Sequence, residues 1–478
     1  MVLTILFGLA LLARVGLAGQ AADYNISKQE FESHNCDEAC QSTIAEAIAN
    51  EVDVIGADNF DYDFYATPSN FSGSEPGDVL KLKAVQATAG DYKTGTRAFI
   101  FMYTTLDLDG SKVPATGFIA FPSGAGLMQS RNRKGSCDVF PLVAFAHGTT
   151  GVFAGCAPSN GLVQGHADAW QPLIARGYAV VATDYAGLGN NQTTHKYLSL
   201  TAQATDVYYS VVAARRLFGH VLSRQWISAG HSQGGGTVWK LAESDYVRND
   251  ECYLGTVAMA PATYFAEMLA AAEDNADSAG YLPLISIALS RAFAGFTPET
   301  MSALFAKRAE LATQGQYCVV PMVSLARGLQ YSQLVSKEGL AHDAPQIEKW
   351  QAEQSPALGA RSPAPILVIQ GLNDTTVAPK VTVHATRESC KAGNTVRLSL
   401  YPGMEHESVL PASEPEWLTW IDWRFGGGQY SSSECVEEVR KPYSCKDCKT
   451  NHEKRATAAS KETQHLGHSG KPGRVYLV

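Results

Sequence analysis

Apolar residues follow two rhythms along this chain, and the change from one to the other marks its organisation. From about position 139, short continuous apolar runs alternate with amphipathic stretches. VFPLVAFAHG is apolar almost throughout and stops at glycine, as a strand buried on both faces should. HADAWQPLIARG then reads as a helix, YAVVATDYAGLG as a second buried strand, and LTAQATDVYYSVVAARRLFG as a long helix with apolar residues three and four apart. RQWISAGHSQGG is a third strand, GGTVWKLAESDY a helix, and LGTVAMAP, APILVIQG and NTVRLSLYPG further strands. Strands alternating with helices predict a mostly parallel sheet covered on both faces. Before this region, TRAFIFMYTTLDLDGSKVPATGFIAFPSG holds two β-branched and aromatic runs joined through Asp109-Gly110, which predicts an antiparallel β-hairpin. Residues 22–75 are polar and mixed, with a helical pattern around CDEACQSTIAEAIAN.

Two segments break the alternation. Residues 262–363 carry helical patterns such as LPLISIALSRAFAGF and ETMSALFAKRAELA with no obvious strand. An insertion of that length between sheet strands predicts a cap over the catalytic domain, which spans residues 22–430. Residues 431–478 are polar and poor in core residues, and read as a flexible tail.

The first residues, MVLTILFGLALLARVGLAGQAADYN, contain an apolar run at positions 2–12 that is too short to span a bilayer. Small residues follow, so positions 1–21 read as a signal peptide cleaved after Ala18 or Ala21, although no Lys or Arg precedes the run. Ten cysteines suit an oxidising, extracellular destination. Sequons fall at Asn25, Asn70, Asn191 and Asn373. A net charge of −9 with no dense basic face excludes nucleic acid as a partner.

The chemistry centres on Gly230-His231-Ser232-Gln233-Gly234, a G-x-S-x-G match. The pattern alone is weak; here a buried strand feeds into it and a helix opens directly after it. Such a corner strains the serine backbone and lifts its hydroxyl above the sheet at a helix N-terminus. A hydroxyl needs a base, and the base needs an orienting carboxylate. APILVIQGLNDTTVAP ends a strand in a loop carrying Asp374, and RLSLYPGMEHES ends the next in a loop carrying His406. The order Ser232, Asp374, His406 is that of the α/β-hydrolase fold. His342 in the cap and His384 in a probable helix are weaker rivals, and His231 should project to another side of the corner. For the oxyanion, the backbone N–H of Gln233 is one expected donor and that of Thr149, in AFAHGTTGV, the other. His147 reads as structural, and Asp184 as organising its own turn.

With these residues in place, the chain resembles the fungal secretory lipase family of the lipase A type; trichothecene deacylating esterases look similar over the same region. The resemblance runs from about Gly77 to Gly426 and rests on AHGTTGVFAGCAPSN, VVATDYAGLGNN, AGHSQGGG, QGLNDTTVAP and YPGMEH. It implies the same triad, a cap inserted before the aspartate-bearing strand, and disulfides Cys156–Cys318 and Cys390–Cys435. Cys36 and Cys40, one turn apart, could pair with each other or with separate partners. Cys137, Cys252, Cys445 and Cys448 stay unassigned, and Cys445-x-x-Cys448 with His452 is too little for a metal site. Lipase members of the family tend to carry an aromatic residue before the nucleophile and glycine after it, where this chain has His231 and Gln233. A side chain at Gln233 narrows the space beside the oxyanion hole and argues against long-chain triglycerides. The apolar helices of the cap argue the other way.

The expected function is a secreted serine hydrolase of carboxylic esters, lipase or acyl/acetyl esterase, needing no metal or organic cofactor. Its expected partners are a small-molecule or lipid ester and, for lipid, the lipid–water interface, with the enzyme as a monomer. The competing readings are a secreted serine peptidase on the same fold, for which no peptide anchor is visible, and a non-catalytic binding protein on a hydrolase scaffold. Glycans are expected at Asn25, Asn70 and Asn191 but not at Asn373, where they would crowd Asp374.

Overall fold

The computed structural model describes residues 21, 24–55, 60–85, 96–122, 139–161, 167–274, 276–430, 434–443 and 475–477. Most of the segment read as a signal peptide, together with Cys137, Cys445, Cys448 and His452, lies outside them. No helix among the described residues is long and apolar enough to cross a membrane.

A single sheet of 11 strands organises the molecule. Its antiparallel part comprises β1 (Val79–Val85), β2 (Arg97–Leu106) and β3 (Lys112–Phe121). The hairpin expected from the alternating runs is present: β2 and β3 pair from Arg97↔Phe121 to Leu106↔Lys112, and Gly110 at φ 77° turns the chain between them. β4 (Phe140–Ala146), β5 (Ala179–Thr183), β6 (Leu222–His231), β7 (Tyr253–Met259), β8 (Ile366–Gly371) and β9 (Val396–Tyr401) are mutually parallel in the spatial order 9-8-7-6-4-5. β5 then joins β3 antiparallel. The chain steps from β4 to one side for β5 and back to the other for β6. Strand order therefore reverses at β4, and that is where α/β sheets open a crevice at their carboxyl ends.

Helices cover both faces. Helix α1 (Glu38–Ile55) lies to the N-terminal side of the sheet region in sequence. On one face α3 (Leu200–Phe218) packs against α4 (Gln233–Ala242); on the other α2 (Ala167–Arg176) packs against α11 (Val409–Phe425). Between β7 and β8 run the helices of the insertion: α5 (Phe265–Ala271), α6 (Leu282–Ala292), α7 (Ala303–Gln314), α8 (Val319–Ser324) and α9 (Lys337–Gln354). They bury a core of their own, with Leu284, Leu289, Phe305, Leu311 and Met322 all inaccessible. α10 (Pro379–Lys391) follows β8.

Covalent and polar ties join these parts. Cys156 pairs with Cys318, linking the segment after β4 to the start of α8, and Cys390 pairs with Cys435. Cys36 bridges Cys40 within one turn. Glu51, on α1 and fully buried, accepts from the backbone N–H of Cys318 and Val320, each at 3.0 Å, and from Tyr24 Oη at 2.9 Å. The N-terminal helix thus caps α8 beside the long-range disulfide.

Within the stretch read as a flexible tail, the structure has two strands. β10 (Cys435–Val439) runs parallel to β9 at one sheet edge, and β11 (Val475–Leu477) pairs with β1 at the other. β10 alternates exposed and half-exposed side chains, so it carries none of the apolar signal of the central strands. Its pairing with β9 and the Cys390–Cys435 bridge hold it instead.

Candidate active site

β6 runs its apolar residues up the middle of the sheet and ends at His231; α4 begins at Gln233. Ser232, between them, has φ 59° and ψ −120°, a conformation that L-residues avoid. Its N–H donates to Met259 O at 2.9 Å, and its carbonyl accepts from Gly236 and Ala262 at 3.1 and 3.0 Å. The neighbouring glycines serve close approach rather than unusual dihedrals. A Cβ on Gly230 would stand 2.3 Å from Gly234 O, and one on Gly234 would stand 1.9 Å from Ala146 O. Helix and strands can meet this tightly only without side chains there.

β8 and β9 deliver the carboxylate and the imidazole. His406 Nδ1 lies 2.8 Å from Asp374 Oδ2, with both residues buried. The Asp374 carboxylate is held from three other directions. Oδ1 accepts from Thr376 N at 2.9 Å and Val377 N at 2.8 Å, and Oδ2 accepts from Gln370 Nε2 at 3.0 Å. Burial alone would disfavour the imidazolium; the hydrogen bond and charge of Asp374 outweigh it and raise the His406 pKa above its ordinary 6.5. Asp374 thus takes up Nδ1 of His406 and leaves Nε2 on the opposite edge of the ring.

His231 is better placed than its sequence position suggests. Its Nε2 lies 3.1 Å from His406 O, and the two rings sit 4.6 Å apart. The corner carrying Ser232 and the loop carrying His406 therefore abut through His231. Burial, with the neighbouring His406 cation adding to it, pulls its pKa down to about 3 and keeps it neutral. Ligand atoms of His231, His406 and Glu407 lie within 4.8 Å of one another, close enough to consider a metal. Because Asp374 already takes His406 Nδ1, a cation there would have to bind His406 through Nε2.

The loop after β4 faces the elbow. Thr149 Oγ1 and Tyr197 Oη are 2.8 Å apart, which fixes the rotamer of a residue expected to donate its N–H. The Gln233 side chain is buried, with its Nε2 3.5 Å from His195 Nε2. Arg291, on cap helix α6, donates through Nη1 to Val152 O and His195 O, both at 2.7 Å, and so clasps the loop from above. Ser278 Oγ donates to Thr375 O, beside Asp374, so the cap reaches the acid loop as well. No local pattern marks Tyr197 or Arg291 in the sequence; only the tertiary fold brings them here.

The remaining candidates are placed elsewhere. Asp184 is buried under its own turn, accepting from Ser159 N at 2.8 Å and Thr116 Oγ1 at 2.7 Å. The His147 ring lies between Gly148 O and Asp184 O, and burial pulls its pKa down to about 4. His384 pairs with Glu267 at 2.8 Å and His342 with Asp343 at 2.9 Å, so neither reaches Asp374.

A mostly parallel sheet with an elbow serine, an aspartate and a histidine at its carboxyl ends defines an α/β hydrolase. Comparison with known proteins narrows this. The family described as secretory lipase matches residues 160–433, and the chain belongs to that family. It is a carboxylic ester hydrolase. Among solved structures it is similar to Candida antarctica lipase A, with a TM-score of 0.63 and 17% identity over 79% of this chain and 89% of that one. It is also similar to the rice cell wall degrading esterase LipA from Xanthomonas oryzae, with a TM-score of 0.57 and 18% identity over 74% and 97%. A search of curated proteins returned no match.

Proposed function

We propose that the protein is a secreted serine esterase that works through Ser232, His406 and Asp374 and an acyl-enzyme intermediate. His406 Nε2 takes the Ser232 proton as the hydroxyl attacks the ester carbonyl. Asp374 fixes the imidazole tautomer and stabilises its cation. The N–H groups of Gln233 and Thr149 receive the oxyanion. Protonated His406 then releases the alcohol, and water repeats the sequence to free the acid.

The observation that carries this reading is the strained Ser232 backbone and the buried His406–Asp374 pair, all at the carboxyl ends of the parallel strands β6, β8 and β9 of one sheet. Secretion is supported by the apolar leader at positions 1–21 and by three disulfides among the described residues. Exposed Asn25, Asn70 and Asn191 suit glycosylation, whereas Asn373 Oδ1 already accepts from Gly403 N at 3.0 Å.

The substrate is an acyl or acetyl ester entering beneath the cap, between α6 and the loop after β4. A chain-length series of nitrophenyl esters sets the class: a short optimum marks an esterase and a long one a lipase. Ser232→Ala should lower kcat by roughly four to six orders of magnitude. A serine-directed phosphonate should label the wild type and leave that variant unmodified. Labelling of the variant, or retention of its activity, refutes the assignment.

A further inference from the structure

We propose a second ligand site, at the β9 edge of the sheet, that takes a carboxylate attached to a flat or extended apolar body. A cavity of about 810 Å³ lies there between α11, β9 and the segment following β10. No cap residue and none of Ser232, Asp374 or His406 lines it. The volume suits a small organic ligand. Its roof is held by two backbone bonds, Arg440 N to Leu400 O at 2.8 Å and Tyr443 N to Ala412 O at 2.9 Å.

The walls are aromatic. Tyr401, Trp420, Trp423 and Tyr443 all contribute, and Trp423 and Tyr443 remain 38% and 57% exposed. Aromatic side chains of this size left open to water at the mouth of a cavity favour a ligand with a flat apolar face. Trp423 is held in place by its neighbours: its ring meets that of Tyr430, another lining residue, at 4.9 Å, and a Cβ on Gly428 would come within 2.1 Å of it.

The charge lining the cavity selects the polar end of the ligand. Arg397, Arg440 and Lys441 face it against a single carboxylate, Glu416, on a chain whose net charge is −9. Glu416 is fully engaged, by Ser399 Oγ at 2.8 Å, by Tyr401 Oη and by Arg440 at 3.3 Å. Arg440 also pairs with Glu438 at 2.5 Å. Arg397 is different. Its Nε is buried and has no hydrogen-bond partner among the described residues. Arg397 and Tyr401 lie four residues apart on β9, on the face that carries Ser399 toward α11, so the guanidinium and the aromatic wall share one surface. A buried guanidinium donor is costly to leave unmet, and a carboxylate satisfies it in planar fashion. An anion with an apolar body is also the class of product that an ester hydrolase releases. The site does not depend on which residues perform the hydrolysis.

The test uses the full secreted chain with 2-naphthoate as probe and 2-naphthylmethanol as its neutral counterpart, titrated calorimetrically. Naphthoate should bind one-to-one. Affinity should fall about tenfold in Arg397→Gln, in Trp423→Ala, and for the alcohol, the scale of one charge-assisted pair or one stacking wall. Hydrolysis of a nitrophenyl ester by both variants should stay at wild-type level, which shows that they are folded. Equal affinity in Arg397→Gln, equal affinity for the alcohol, or no saturable binding by active wild type overturns the proposal. So does binding of a neutral oligosaccharide that is tighter than naphthoate and indifferent to Arg397→Gln.

Discussion

Gly234→Ala tests the geometry of the nucleophile corner without touching a reacting group. The added Cβ would stand 1.9 Å from Ala146 O and 2.4 Å from Ala146 C, all backbone atoms of central strand β4. Real Cβ contacts are essentially never below 3.0 Å, so α4 must withdraw from β4 by roughly 1.1 Å. Neither side is a flexible side chain that can swing away. Overpacking in a well-packed interior typically costs about 1–3 kcal/mol, and a backbone-on-backbone clash belongs at the upper end. Melting should fall by about 3 °C, since the unfolding entropy of a chain this long is about 1 kcal/mol/K. The same withdrawal moves the Gln233 N–H and Ser232 relative to the loop after β4. A misplacement of about 1 Å in a catalytic constellation costs about a hundredfold in rate. Two companion variants calibrate the result. Gly235→Ala, whose Cβ would meet Met259 O at 2.8 Å, should show a milder loss, and Gly73→Ala, with nothing within 4 Å, almost none. Circular dichroism melts and kcat/KM on a nitrophenyl ester read all three. If Gly234→Ala melts with the wild type and keeps kcat/KM within about threefold, the tight helix–strand contact is not what positions the serine.

Three further outcomes follow from the structure. His406 must be neutral to act as base, and Asp374 raises its pKa above 6.5, so the acidic limb of kcat/KM against pH should have its midpoint above that value. Asp374→Asn should move the midpoint down and lower kcat by about 10⁴; an unmoved midpoint refutes the pairing. Replacing Cys156 and Cys318 together by serine opens a loop spanning 162 positions and should cost about 2–5 kcal/mol, read as a lower unfolding midpoint in denaturant; an unchanged midpoint refutes it. Peptide mapping of the secreted protein should find glycans at Asn25, Asn70 or Asn191 and none at Asn373; a glycan at Asn373 counts against the placement of Asp374.

The parts of this molecule that sequence makes plain are those whose burial is uniform. β4, β5, β8 and the core-facing end of β6 are inaccessible and apolar almost throughout, so a continuous hydrophobic run is a sufficient signature. Ser232 and Asp374 follow such strands, β6 and β8, and His406 comes a few residues after β9, whose apolar positions alternate with Arg397 and Ser399, which is why their chain order could be read in advance. β1 is the contrary case. VLKLKAV contains two lysines, yet Lys81 is buried with its Nζ donating to the carbonyls of Asp63, Phe64 and Ala66 at 2.8, 2.9 and 2.5 Å. A charge satisfied by carbonyls at the end of the short helix Tyr62–Tyr65 leaves no trace in local hydropathy. β10 escapes for the opposite reason, since an edge strand that buries little needs no apolar pattern. The contacts of His231, Arg291 and Tyr197 depend on how separate elements dock, and no spacing along the chain encodes them.

Glu51 has a practical consequence for anyone handling this protein. Its carboxyl holds the first turn of α8 at Cys318, which is cross-linked to Cys156 in the segment after β4, and it comes from the N-terminal helix α1. Removing helix α1 to improve expression, or fusing a bulky partner against it, would therefore slacken α8 and the disulfide-linked segment after β4 from some 270 positions away. An apparent loss of enzyme quality in such a product would be a defect of scaffolding, with every reacting group still in the chain.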